Sequence, residues 1–180
     1  YGDKLLVTHE SENLDSSEVG RCAAYKLPET ISASEVGKPA VLDASSLEVW
    51  RNPLGSLASS PCLVGNRLYL VTGTGEVAGI NADTGLVLWR KKLAPEQRQS
   101  SPMYGDGKLY VAVYIADASV DSAKSEGTDT GGNGALFVLK PSDSGAEVLS
   151  RTVLEGRCYG SPVPYNGKVY VQTDRRPVSY

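Results

Sequence analysis

The sequence predicts an all-β fold, a β-propeller of four-stranded antiparallel blades with about three and a half blades present. Three observations carry that expectation. A Ser-Pro-led segment recurs along the chain, each copy runs on into further short strands, and the composition suits turns and strands rather than helices. Ten tyrosines stand against one phenylalanine and one methionine, and 19 glycines punctuate the 180 residues. Tyr, Val and Thr favour a pleated, half-buried surface, while Gly supplies the turns between short strands.

The repeat reads SSPCLVGNRLYLVT from Ser59, SSPMYGDGKLYVAV from Ser100 and GSPVPYNGKVYVQT from Gly160, with a degenerate copy, YGDKLLVTHE, opening the chain. Each copy is Ser-Pro, a short strand, a Gly- or Asn-containing turn and a Tyr-centred strand. We label the strands of a unit a to d. Unit one (1–52) supplies b from the opening copy, c from GRCAAYKL and d from SLEVWRN, with a long c–d segment at 28–46. Unit two (56–92) has all four strands, with c at 76–80, the turn NADTG, and d at 86–90. Unit three (98–154) continues through ALFVLK, the turn PSDSG and AEVLSRTVL, and unit four (158–180) holds a, b and the start of c at 177–180. Ser60 and Ser101 lie 41 residues apart, close to the roughly 40–50 of a four-stranded blade. Ser101 and Ser161 lie 60 apart, and one inserted loop accounts for the surplus. Fourteen strands at most fall short of a closed ring, so the chain reads as the central or C-terminal part of a longer propeller with open edges.

A blade is a small twisted sheet with two apolar flanks and must pack against neighbours to bury them. Small Ser-Pro pairs suit the innermost strand, where the blades converge. Trp50 and Trp89, both on strand d, can cover the flank of an adjacent blade. Tyr69, Tyr110 and Tyr170 recur at one repeat position and read as structural. Cys22, Cys62 and Cys158 show no ligand spacing and read as small buried hydrophobes.

In this architecture the b–c and d–a links share one face. The b–c link of unit two is the minimal Gly73-Thr74-Gly75, but in units one and three it expands to 9–20 and 114–134. Both insertions therefore crown the same face, where binding most often sits on a rigid scaffold. Glu10, Glu12, Asp15 and Glu18 make the first acidic; Asp117, Asp121, Glu126 and Asp129 do the same for the second. That pattern suggests a cation-assisted site or a basic partner. Neither loop has the alternating Asp/Asn spacing of a dedicated calcium loop, which favours solvated decoration instead.

Other chemistry is excluded or unsupported. The formal charge is −3 with its cations dispersed, so no nucleic-acid surface is expected. No apolar run is long enough to span a bilayer. His9 is the sole histidine, which excludes multi-histidine metal centres. No GxSxG elbow, phosphate-binding glycine loop or CxxCH haem site is present.

The Ser-Pro, Tyr-Val, Thr-Gly, Trp pattern resembles the quinoprotein-like propeller repeat family. The segment carrying the resemblance is NADTGLVLW, where Thr84-Gly85 is followed by three residues and Trp89. Gly79 and Asn81 stand where the family has Ala and Asp, and the turn of unit three has Ser for Thr with no Trp after it. The resemblance implies that Thr84 and Gly85 shape a tight turn and that Trp50 and Trp89 dock between blades. It also implies a bacterial periplasmic or otherwise extracytoplasmic protein similar to outer-membrane assembly propellers. On that footing the chain is a non-catalytic scaffold that holds a protein or glycan partner on the decorated face. No catalytic, cofactor or metal residue is assigned. The alternative is a piece of a pyrroloquinoline-quinone-dependent dehydrogenase whose quinone, calcium and catalytic residues belong to other blades.

Overall fold

The computed structural model describes residues 1–30, 37–95, 99–115, 133–174 and the backbone of 177–179. Strands form four separate antiparallel sheets, consistent with a partial propeller. Blade one is β1 (Lys4–Glu12), β2 (Val19–Lys26) and β3 (Glu48–Asn52), in that order. Blade two is β4 (Cys62–Val64), β5 (Arg67–Val71), β6 (Glu76–Asn81) and β7 (Val87–Lys92). Blade three is β8 (Met103–Gly105), β9 (Lys108–Ile115), β10 (Asn133–Pro141) and β11 (Ala146–Leu154). Blade four contributes β12 (Val163–Tyr165), β13 (Lys168–Gln172) and β14 (Pro177–Ser179). The long c–d segment of blade one ends in a single helical turn, α1 (Ala44–Leu47), capped by the Asp43 carboxylate on the Ser45 amide. Residues 31–36 of that segment lie outside the described residues.

Period-two alternation sends successive side chains to opposite flanks, and each seam between blades becomes a separate core. Cys22, Ala24, Trp50 and Leu54 of blade one meet Leu68, Leu70, Ala78 and Ile80 of blade two. Tyr69, Val71, Val77 and Trp89 of blade two meet Leu109, Val111, Val113, Phe137 and Leu139 of blade three. The third seam is smaller, with Tyr110, Ala112, Leu136 and Leu154 against Cys158 and Val171. Of the recurrent tyrosines, Tyr69 and Tyr110 are buried, whereas Tyr170 is exposed.

The Ser-Pro pair does more than fit a narrow space. Ser101 Oγ accepts the Ser60 backbone amide at 2.8 Å, and Ser161 Oγ accepts the Ser101 amide at 2.9 Å. Each hydroxyl thus satisfies the amide of its counterpart in the preceding blade. The amide would otherwise be orphaned beside a proline that cannot donate.

Candidate functional site

Two sets of residues set this chain apart from a bare stack of sheets: the clamps between blades and the b–c rim. The clamps fix the geometry of the rim, so they come first.

In the c–d turn of blade two, Asn81 Oδ1 accepts the amides of Asp83 (2.9 Å) and Thr84 (3.1 Å), and Thr84 Oγ1 accepts that of Leu86. Gly85 closes the turn at φ +73°, a left-handed conformation that a side chain disfavours. The preceding blade grips this turn at several points. Trp50 Nε1 donates to Ala82 O at 3.0 Å, and Asn52 Nδ2 donates to Gly85 O at 3.0 Å. The Trp50 ring lies so close over Gly85 that a Cβ there would sit 2.5 Å from Cδ2. Tyr1 Oη also donates to Asp83 at 2.8 Å. Blade two grips blade three in the same way: Trp89 Nε1 donates to Ser142 O at 2.8 Å and Arg67 pairs with Asp143. Both tryptophans are 8% exposed. Each therefore docks on the turn of the following blade, while the Thr-Gly turn just before Trp89 receives Trp50.

Strand pairing shows why the third unit has no such residue. Trp50 stands opposite Ala24 and Trp89 opposite Gly79, each just after a bulged residue, Val49 or Leu88. A Cβ on Gly79 would overlap the Trp89 indole, so the small partner makes room for the ring. In blade three the same bulge falls at Leu149, and the next residue is Ser150, opposite Val138. The large residue and the small one have changed strands. After each of these positions comes an arginine, Arg51, Arg90 or Arg151, a repeat signal that reading the tryptophans alone passes over. Arg51 pairs with Glu48 and Asp15, Arg90 with Glu76, and Arg151 lies over the Phe137 ring.

The rim departs from expectation in blade one. The segment 9–20 is mostly strand, since β1 runs to Glu12 and β2 restarts at Val19, leaving 13–18 as the tip. That tip is tied down rather than loosely solvated. Asn13 Nδ2 donates to Glu18 O at 2.6 Å and to Gly20 O at 3.2 Å. Asp15 bridges Arg21 and, at 2.9 Å, Arg51. Hydrogen bonds from Arg21 and then Arg51 hold the Asp15 carboxyl at a pKa of about 2. The Glu10 carboxylate packs on Gly73 of blade two's minimal hairpin, and His9 O lies against Gly55 of the blade one–two link. With Glu10 packed and Asp15 paired, the exposed charges are Glu12 and Glu18, and between them project Leu14 and Val19, at 108% and 63% exposure. Sequence reading recorded the acids here and missed the apolar pair, because a leucine among acids gives no hint of which way it points.

In blade three, 114–134 begins and ends in strand: Tyr114 pairs with Gly134 and Ile115 with Asn133. Residues 116–132, with the acids Asp117, Asp121, Glu126 and Asp129, lie outside the described residues. Among the described residues no group of three or more His, Cys, Asp or Glu is placed to hold a metal. Trp50 and Trp89 are sealed in the seams with their Nε1 atoms engaged, so neither offers a wall for a planar quinone. The described residues do not fit a quinone–calcium site.

These features define the chain as a run of quinoprotein-like propeller blades. Comparison with known proteins narrows the class. Residues 14–125 match the family model described as outer membrane protein assembly factor BamB. The chain is 30% identical over 136 residues to the outer membrane protein assembly factor BamB of Burkholderia pseudomallei (strain K96243), covering 74% of this chain and 29% of that protein. The chain belongs to this BamB family, and it spans about three-tenths of the length of the curated relative it matches. Among solved structures it resembles a europium-containing methanol dehydrogenase with a TM-score of 0.55 at 13% identity, over 85% of this chain and 23% of the other. That likeness concerns the fold alone. BamB from Moraxella catarrhalis aligns over 98% of this chain and 78% of its own, at 12% identity and a TM-score of 0.34, too low to argue from.

Proposed function

We propose that this chain is part of an extracytoplasmic scaffold for outer-membrane protein assembly, and that it holds a protein partner on the face carrying 9–20 and 114–134. The observation that carries this reading is the tethered β1–β2 hairpin, which presents Leu14 and Val19 between Glu12 and Glu18. Exposing a leucine fully on a hairpin pinned by Asn13 and Asp15 costs little ordering entropy on binding, which suits an anchor. The partner would offer an apolar pocket with basic groups at its edge. Family membership supports the assembly role and the periplasmic location. Among the described residues no helix is long and apolar enough to cross a membrane. The reading includes no quinone and no calcium. Reconstitution with pyrroloquinoline quinone and calcium is expected to leave the absorption spectrum a simple sum, and a shifted quinone band would refute that part.

The test of the partner face is a photo-crosslinking amino acid placed in turn at Leu14, Val19 and Thr74 in bacterial envelopes. A discrete protein adduct is expected from positions 14 and 19 and not from 74. Equal yields from all three, or adducts unchanged when Glu12 and Glu18 are replaced by lysine, would overturn the reading.

A further inference from the structure

The inner edge of β1 is built differently from those of its counterparts β5, β9 and β13. Each of the latter is paired on its axis side by a three-residue strand led by Ser-Pro: β4 on β5, β8 on β9 and β12 on β13. Among the described residues β1 pairs only with β2. Tyr1 and Lys4 exchange two backbone bonds, at 2.8 and 2.9 Å, as the closing pair of an a–b hairpin does. Such pairs alternate along an antiparallel ladder, so the next residue presenting both N–H and C=O to that edge is Leu6. The register agrees, because Leu27 N donates to Asp3 O, which turns Leu5 and Val7 toward β2 and leaves Leu6 and Thr8 facing the axis. Leu6 corresponds to Tyr69, Tyr110 and Tyr170, which stand opposite Cys62, Met103 and Val163.

A second observation falls at the same place. In the serine relay along the axis, Ser101 and Ser161 each accept the amide of the preceding blade's serine. Ser60 Oγ has no such amide among the described residues. A Ser-Pro-led strand seated on Leu6 would bring its own serine amide to Ser60, completing the ladder and the relay together. The competing edge is β11, nine residues long and exposed, but its bulge at Leu149 and its Arg151 blunt pairing. The β1 register is unbroken from Lys4 to His9.

We propose that the Leu6 edge of β1 and the Ser60 hydroxyl form one seat for an extended Ser-Pro-led segment supplied in trans by a partner polypeptide. The partner adds a strand of two or three residues with an aliphatic or thioether side chain opposite Leu6. Backbone pairing supplies the affinity, and the serine supplies the selection. This surface is separate from the b–c rim, and its test does not depend on that face.

The probe is a fluorescein-labelled peptide, Ser-Ser-Pro-Met-Tyr-Gly, added to the 180-residue chain. Saturable anisotropy is expected, together with hydrogen-exchange protection centred on Leu6. The same peptide N-methylated at Met should lose binding, since it cannot donate to the edge. Ser60→Ala should weaken the unmodified peptide about fivefold, the effect of one neutral hydrogen bond. No saturable binding, equal binding of the methylated peptide, or protection at β11 instead of β1 would each overturn the proposal.

Discussion

The seam between blades two and three and the seam between blades three and four share an inner clasp and differ in the outer one. Near the axis both have the same serine-to-amide bond, at 2.8 and 2.9 Å. At the rim the first has Trp89 on the Ser142 carbonyl and Arg67 on Asp143, whereas at the second the corresponding residue of β11 is Ser150. Val148, Leu149 and Val153 of β11 are 40–52% exposed, while β7 covers its next neighbour. The contrast teaches that the inner clasp is common to the fold, whereas the outer clasp is placed seam by seam by one large residue and one small one across the c–d pair.

The largest effect should come from removing the clasp where it exists. Trp89→Ala and Trp50→Ala should each cost about 3–5 kcal/mol, the usual loss on truncating a buried aromatic. Ser150→Ala should fall within roughly ±0.5 kcal/mol, as surface changes do. Urea unfolding of the three variants measures this, and a Ser150→Ala loss comparable to Trp89→Ala would erase the distinction between the seams.

Next comes the turn on which a tryptophan rests. Gly85 has φ +73° and lies under Trp50, whereas Gly145, closing the equivalent turn of blade three, has open space where a Cβ would go. Gly85→Ala should cost more than the roughly 1 kcal/mol of a left-handed alanine, because the Trp50 ring must also move. Gly145→Ala should be neutral within about 0.5 kcal/mol. Equal thermal midpoints for the two variants would show that Trp50 does not rest on Gly85 in solution.

The inner clasp predicts a smaller and more uniform effect. Ser101→Ala and Ser161→Ala each leave one amide without its acceptor, at about 1–2 kcal/mol apiece. Because the two bonds are alike, the two losses should agree within about 0.5 kcal/mol by urea titration. A large loss at one alone would mean that the relay is not a repeated device.

How much of this could be read beforehand depends on range. The blade framework was legible because a Ser-Pro strand, a glycine turn and a tyrosine strand recur within a dozen residues, and local recurrence needs no tertiary knowledge. That Trp50 and Trp89 lie on outer strands followed from the same order. Their acceptors did not, because Trp50 to Ala82 and Trp89 to Ser142 span different sequence separations and end on backbone carbonyls, which carry no residue signature. The rim was read by charge, and charge misled. Asp15 looked like one of four solvated acids until Arg21 and Arg51, from two other stretches of chain, closed on it. Leu14 was passed over because alternation fails at a hairpin tip, so composition alone cannot orient it.

The smallest expected effect on global stability bears most on function. Asp15 is exposed, so Asp15→Asn should scarcely move the unfolding midpoint. It should instead loosen the tip and raise hydrogen exchange across 13–18. The pH dependence has a definite sign. The carboxyl titrates at about 2 in the fold against an ordinary 3.8, because Arg21 and Arg51 donate to its charged form. The pinning is therefore complete above about pH 4 and is lost as pH falls through 2. At neutral pH the tether should weaken with added salt, since exposed ion pairs are screened. If tip exchange in Asp15→Asn matches the parent at pH 7, the tether does not hold Leu14 in place, and the rim of blade one is ordered only by Asn13 and by Glu10 on Gly73.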